Sequence, residues 1–166
     1  MGAGLRRIRI KHYRGAGILF WRRTENGSLE VLLGLRSTSM PHAPGVWSLF
    51  GGGMKSGETF LECAEREAHE ETVSDGRIDM FKAAPFSLEE RPVCVRRIPF
   101  FYTYAYFLCK VQGTPAKWPR SPHAHDEHEA IQWFSVSSLP GVLHPETRRI
   151  ILRLRKSILR KEVLQS

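Results

Sequence analysis

A chain of 166 residues, 42% hydrophobic and 25% charged, has the size and composition of one domain that buries a core without covalent staples. No apolar run approaches the ~18–20 residues of a membrane-spanning helix, and Met1 to Lys11 lacks the apolar core of an export signal, which argues against both a membrane protein and an exported one. The formal net charge of +8 is concentrated at the ends: residues 1–23 hold seven basic and no acidic residues, and residues 146–166 hold seven basic and two acidic, so the body between them is net acidic. Basic ends suit an anionic substrate or a nucleic-acid backbone, although exposed arginines more often serve solubility alone. Arg6 stands where a myristoylation signal needs Ser or Thr. Cys63, Cys94 and Cys109 are odd in number and form no CxxC pair, which disfavours a disulfide framework and a zinc knuckle. They read as small buried hydrophobes in a reducing, cytoplasmic setting.

The chain shows no internal repeat and no interdomain linker, and it reads as a single domain over residues 1–166 with a basic N-terminal segment, 1–13. Residues 16–21 (AGILFW) and 29–36 (LEVLLGLR) are β-rich runs separated by the turn signal Glu25-Asn26-Gly27-Ser28, which predicts paired strands. Residues 37–57, with Pro41, Pro44 and five glycines, predict a loop. Thr59-Phe60-Leu61-Glu62 matches a capping box, and Phe60, Cys63, Ala64 and Ala68 at helical spacing predict a helix over about 60–73. Residues 93–111 are rich in β-branched and aromatic residues, with Arg96-Arg97 and Pro99 marking a break between strands or a bulge. Residues 113–129 are polar and proline-containing, and lead into a short strand at 130–134. A basic C-terminal helix follows over about 146–164, with Ile150, Ile151, Leu154, Ile158 and Leu159 as its apolar stripe. Docking on a sheet face accounts for that stripe better than contact with a membrane surface.

Chemistry concentrates in Gly51-Gly52-Gly53-Met54-Lys55-Ser56-Gly57-Glu58 and the following Arg66-Glu67-Ala68-His69-Glu70-Glu71. Glu67, Glu70 and Glu71 stand at i, i+3 and i+4, so a helix projects them from one face, where they repel one another unless something positive intervenes. A hard divalent cation such as Mg²⁺ or Mn²⁺ takes oxygen ligands of this kind and keeps open positions for substrate phosphates. Arg66 lies four residues before Glu70 and can reach back to Glu58. A bare Glu-rich helix is more often a solvated face, so the weight rests on the full pattern.

That pattern resembles the Nudix box, Gly-x5-Glu-x7-Arg-Glu-U-x-Glu-Glu-x-Gly-U with U aliphatic, on which Gly52, Glu58, Arg66, Glu67, Glu70 and Glu71 fall. Val73 and Ser74 depart from it at the final Gly-U, where the family's glycine ends the helix, so here the helix is expected to run on towards Asp75-Gly76. Phe50 stands where many members have Pro. The resemblance implies an α/β fold, an α/β/α sandwich with a mixed β-sheet between helices. It implies hydrolysis of a diphosphate linkage in a nucleoside diphosphate joined to another group: a (deoxy)nucleoside triphosphate, a nucleotide sugar or a dinucleoside polyphosphate. By the same resemblance Glu67, Glu70 and Glu71 are the ligands of Mg²⁺ or Mn²⁺, with the Gly52 carbonyl as a further one and Glu58 and Arg66 as supports. The general base is either a box glutamate or an acidic residue from a distant loop, where Asp126, Glu127 and Glu129 lie; Glu127 and Glu129 are preferred.

Arg36 at a strand end is a candidate phosphate holder, and Trp47, Phe50 and Tyr104 are candidates for stacking a base. The segment His123-Ala-His125-Asp-Glu-His128 matches no zinc spacing and is disfavoured as a transition-metal site. Two other functions stay open at this stage: an RNA hydrolase trimming 5′ diphosphate-bearing ends, for which the basic termini would contact RNA, and a nucleotide-sensing or nucleic-acid-binding module without turnover. Partners beyond a small nucleotide, whether RNA or a second copy of the chain as a homodimer, are left open by the sequence.

Overall fold

The computed structural model describes residues 12–72, 86–112 and 127–163. Their strands are β1 (Tyr13–Arg23), β2 (Leu29–Arg36), β3 (Trp47–Ser48), β4 (Phe50–Gly53), β5 (Phe86–Leu88), β6 (Cys94–Ile98), β7 (Tyr102–Val111) and β8 (His128–Ser135). The helices are α1 (Phe60–Thr72) and α2 (Pro145–Val163). All eight strands belong to one mixed sheet. Strand β1 is its axis: β7 runs parallel along one side of it from Tyr13↔Tyr102 to Trp21↔Lys110. The other side is divided between β4, antiparallel at Gly15↔Gly53 to Ile18↔Phe50, and β2, antiparallel at Trp21↔Val31 to Arg23↔Leu29. Beyond these, β8 and β3 pair with β2, and β5 and β6 pair with β7, all antiparallel.

Residues of a strand alternate between faces, and β1 is buried on both. Ile18 and Phe20 join a cluster with Cys63, Ala64 and Ala68 of α1, while Leu19 joins Ile150, Ile151 and Leu154 of α2 on the opposite face. Hence the run AGILFW is apolar without interruption. Together the two clusters make the expected α/β/α sandwich. Thr59 caps α1 as its spacing predicts: its N–H and hydroxyl both donate to Glu62 Oε2, at 2.7 and 2.9 Å, and Glu62 N–H returns a bond of 3.2 Å to Thr59 Oγ1. No helix among the described residues is long and apolar enough to cross a membrane.

Three local expectations need correction. The predicted loop 37–57 contains β3 and β4, because Gly51, Gly52 and Gly53 carry no side-chain pattern yet take up backbone pairing with Gly17, Ala16 and Gly15. His128 and Glu129 belong to β8 rather than to the polar loop. The 93–111 run, by contrast, breaks at Pro99 as expected: β6 and β7 form a hairpin that turns through Phe100 at φ 67°. Leu159 is 58% exposed and lies off the buried stripe of α2, while Ile158 packs against it. The box positions Val73 and Ser74, the expected stop at Asp75-Gly76, and His123, His125 and Asp126 lie outside the described residues.

Small residues set how close α1 sits to the sheet. Ala64 and Ala68 have no exposed surface and belong to the cluster that α1 forms with Ile18 and Phe20. Replacing Ala64 with Leu is expected to cost about 1–3 kcal/mol by overpacking. In urea unfolding this appears as a lower midpoint with an unchanged slope; a midpoint equal to wild type would show that α1 has slack against the sheet.

Candidate active site

Arg66 organises the acidic face of α1. Its Nε donates to Glu58 Oε1 at 2.5 Å and one terminal nitrogen, Nη2, reaches Glu58 Oε2 at 3.0 Å and the Gly53 carbonyl at 2.9 Å. The other, Nη1, donates to Glu67 Oε1 at 2.7 Å and Glu70 Oε2 at 2.9 Å. One planar cation thus binds three carboxylates and ties the helix to β4. Glu58 also accepts the Lys55 N–H at 2.7 Å, and the Lys55 ammonium pairs with Glu70 Oε1 at 3.1 Å. The bond from Arg66, with that from the Lys55 backbone, brings the Glu58 carboxyl down to about 2. Glu70 is lowered as well, since Lys55 and Arg66 outweigh its partial burial.

Two of the carboxylates move the other way. Burial pushes Glu67 up despite its bond to Arg66, with Glu70 and Glu127 adding repulsion. Glu71 is 6% exposed, and burial raises it well above the usual carboxylate range. The Gly51 N–H, at 3.2 Å from Oε1, offsets this in part, while Glu127 and Glu67 reinforce it. Glu71 also faces His128 at 3.9 Å. A side chain at Gly52 would displace the Glu67 carboxylate, because a Cβ there would lie 2.5 Å from Glu67 Oε2. The thiols of Cys63 and Cys109 are pushed up by burial to about 11 and 12, consistent with packing rather than nucleophilic roles.

Beside the box lies a cavity of about 550 Å³, and it brings together Arg36, Gly52, Glu67, Tyr104 and Glu127 among the residues singled out by sequence. Glu58, Arg66, Glu70 and Glu71 adjoin it through the contacts above. Three candidates are placed elsewhere. Phe50 is fully buried, its ring 5.8 Å from that of Phe20 and 5.6 Å from that of His128. Trp47 packs edge-on against Phe134 at 4.7 Å on the α2 side of the sheet. Glu129 Oε1 accepts the Thr38 N–H and hydroxyl, at 2.8 and 2.9 Å, and so holds the loop after β2.

The sequence reading missed Tyr13, Tyr102 and Tyr106, which line the same cavity. Tyr13, Tyr102 and Tyr104 form a row of near-parallel rings 5.8 Å apart, continued by Tyr106 at 4.8 Å. The alternation of Tyr102, Tyr104 and Tyr106 along one strand was the available signal. His128, also missed as a site residue, is buried behind Glu71.

The NUDIX domain model matches residues 11–154 of this chain. The chain belongs to the Nudix family. It is accordingly a Nudix hydrolase, an enzyme of pyrophosphatase type. Comparison with curated protein sequences gave no match. Among solved structures, the Nudix hydrolase RenU of M. smegmatis is similar at 22% identity and TM-score 0.64, over 89% of this chain and 86% of that one. A mutT/nudix family protein from Listeria innocua is similar at 20% identity and TM-score 0.64, over 92% and 97%. The Ap4A hydrolase of C. elegans is similar at 19% identity and TM-score 0.61, over 89% and 98%. At these identities the likeness is one of fold.

Among the described residues, no group of three or more His, Cys, Asp or Glu side chains is arranged to hold a metal ion as it stands. The reason is visible in Arg66, which occupies oxygens of both Glu67 and Glu70. The donor chemistry nevertheless fits a hard divalent cation: every candidate is an oxygen, Gly52 leaves space that Glu67 fills, and Glu67 and Glu71, raised first by burial and then by neighbouring carboxylates, are groups whose ionised form a cation would favour.

A buried Glu whose folded-state pKa is raised binds more protons folded than unfolded, so its ionisation erodes stability as pH rises from about 4.5 through the raised value. In metal-free protein, Glu71→Gln should therefore raise the thermal unfolding midpoint relative to wild type at pH 8, with the gap closing towards pH 4.5. A gap that is constant with pH would show that Glu71 is not held protonated.

Proposed function

We propose that this Nudix hydrolase uses Mg²⁺ or Mn²⁺ to hydrolyse the diphosphate linkage of a nucleoside diphosphate joined to another group. The substrate is a small nucleotide: a (deoxy)nucleoside triphosphate, a nucleotide sugar or a dinucleoside polyphosphate. The observation that carries this reading is the meeting, at one cavity, of Glu67 and Glu127 with a glycine run on one side and a row of tyrosines on another. Carboxylates alone would repel a diphosphate, and a tyrosine wall alone would bind one without cleaving it. The likeness in fold to the C. elegans Ap4A hydrolase supports including dinucleoside polyphosphates among the substrates. Residues 1–166 act as one Nudix domain, and the free thiols of Cys63, Cys94 and Cys109 favour the cytoplasm as its setting.

In this mechanism Glu67, Glu70 and Glu71 would hold the cation, with the Gly52 carbonyl as a further ligand. When bound there, a divalent cation would supply neutralisation of phosphate charge and a lowered pKa of water. Arg66 orients: while its Nε stays on Glu58, its Nη1 can yield Glu67 and Glu70. Arg36 binds a phosphate oxygen, and its Nε is already fixed on the His42 carbonyl at 3.2 Å. Glu127, on the cavity wall, takes the proton of the attacking water, a role for which Glu129 is less suited while bonded to Thr38. Tyr13, at the exposed end of the row, stacks on the base, with Tyr104 deeper in the same row.

Incubation with Mg²⁺ and a panel of nucleotides, with products identified by mass spectrometry, tests the reading. Wild type should cleave at a diphosphate linkage, and Glu70→Gln and Glu71→Gln should each remove activity while keeping the circular dichroism of the fold. Full activity in both variants would refute the ligand assignment. Glu127→Gln should lower kcat by about 10²–10⁴-fold and Glu129→Gln should leave it within a fewfold; the reverse order would move the base to Glu129.

A further inference from the structure

His128 is wholly buried, yet neither of its ring nitrogens has a hydrogen-bond partner. Such a group is expensive, since a buried polar atom without a partner forfeits the hydration it had in the unfolded chain. The fold goes to some length to place the ring there. It lies over Gly34, where a Cβ would fall 2.7 Å from Nε2, so any other residue would displace it. The pairing of β8 with β2 shifts register between Leu35 and Arg36, opposite His128. Phe50 packs at a tilt against it, with ring centroids 5.6 Å apart. The polar side chain that the ring faces is Glu71, whose Oε2 is 3.9 Å from Nε2. Arg36 lies within electrostatic range of both.

A separation of 3.9 Å is about 1 Å too long for a direct N–H···O bond, and too short for a bridging water, which needs about 4.5 Å between its two partners. A small rotation of either side chain would bring Nε2 and Oε2 to hydrogen-bond distance. We infer that His128 is the positioning residue of Glu71: its Nε2 and Glu71 Oε2 share a hydrogen bond that fixes the rotation of the carboxylate, leaving Oε1 with the Gly51 N–H. A carboxylate free to rotate about its last torsion spends part of its time misdirected; one held by an imidazole and a backbone amide does not. The ring touches neither substrate nor cation, so its effect passes through Glu71. This rests on the reading of Glu71 as a cation ligand.

Three variants of the full chain test it: His128→Leu and His128→Met, which fill the space without a donor, and His128→Gln, which keeps an N–H near the position of Nε2. Two readouts are needed, the dissociation constant of Mn²⁺ alone by electron paramagnetic resonance, and kcat and KM on a nucleotide that wild type cleaves. The apolar variants should weaken Mn²⁺ binding and lower kcat on the order of 10-fold, with KM changed less than about twofold, and His128→Gln should recover most of both. Apolar variants that match wild type in Mn²⁺ affinity and kcat would overturn the inference, as would a Gln variant as impaired as they are, since then only the volume of the ring matters. Should Leu fail to fold, the unbranched Met carries the comparison. Wild-type protein that neither binds Mn²⁺ nor cleaves any nucleotide would overturn the proposed function as well, an outcome distinct from normal wild type with unaffected variants.

Discussion

The guanidinium of Arg66 is the contact on which the rest of the site depends. Without it, Glu58, Glu67 and Glu70 would crowd one end of a cavity and drive one another apart; with it, they are neutralised in part and held in register with β4 through the Gly53 carbonyl. Only an arginine can do this, because five donors in a plane reach three carboxylates and a carbonyl at once. The attachment is graded. Glu58 is bound through two nitrogens and is fully ionised at neutral pH, whereas Glu67 and Glu70 share a single nitrogen and can be given up to a competing cation.

This arrangement needs helix and sheet close together, and the small residues make that possible. Ala64 and Ala68 let α1 lie down on the sheet, and Gly52 leaves room for the carboxylate of Glu67. Gly51 has φ 151° and its position is closed to a side chain by the β1 backbone, yet its N–H is the one that reaches Glu71. The glycine run therefore serves backbone approach and donor placement together. Tyr104 benefits from the same economy, since Gly15 and Gly51 leave space for its ring and hydroxyl.

Features with a local signature were legible in the sequence. The capping box at Thr59 and Glu62, the apolar run of β1, the face shared by Glu67, Glu70 and Glu71, and the reach of Arg66 to Glu58 all follow from spacing. The strands hidden in 37–57 were not, because a triple glycine offers no alternation to read. Phe50 and Trp47 looked like base-stacking groups as aromatic side chains, but Phe50 is fully buried in the cluster with α1 and Trp47 packs against the cluster with α2. Glu127 and Glu129 looked equivalent, but Glu127 lines the cavity whereas Thr38 claims the carboxylate of Glu129. His128 was read with the polar loop before it; its burial depends on Gly34 and the register shift of another strand, which no local window contains.

The central claim is that the carboxylates of α1 await a cation and that Arg66 yields two of them to it. Carboxyl carbon-13 resonances of the glutamates, followed through a Mg²⁺ titration, report on this directly. The account predicts saturable shifts at Glu67, Glu70 and Glu71 with a common dissociation constant, while Glu58 stays unmoved on Arg66. Absence of any saturable shift at those three, or a shift confined to Glu58, would contradict it.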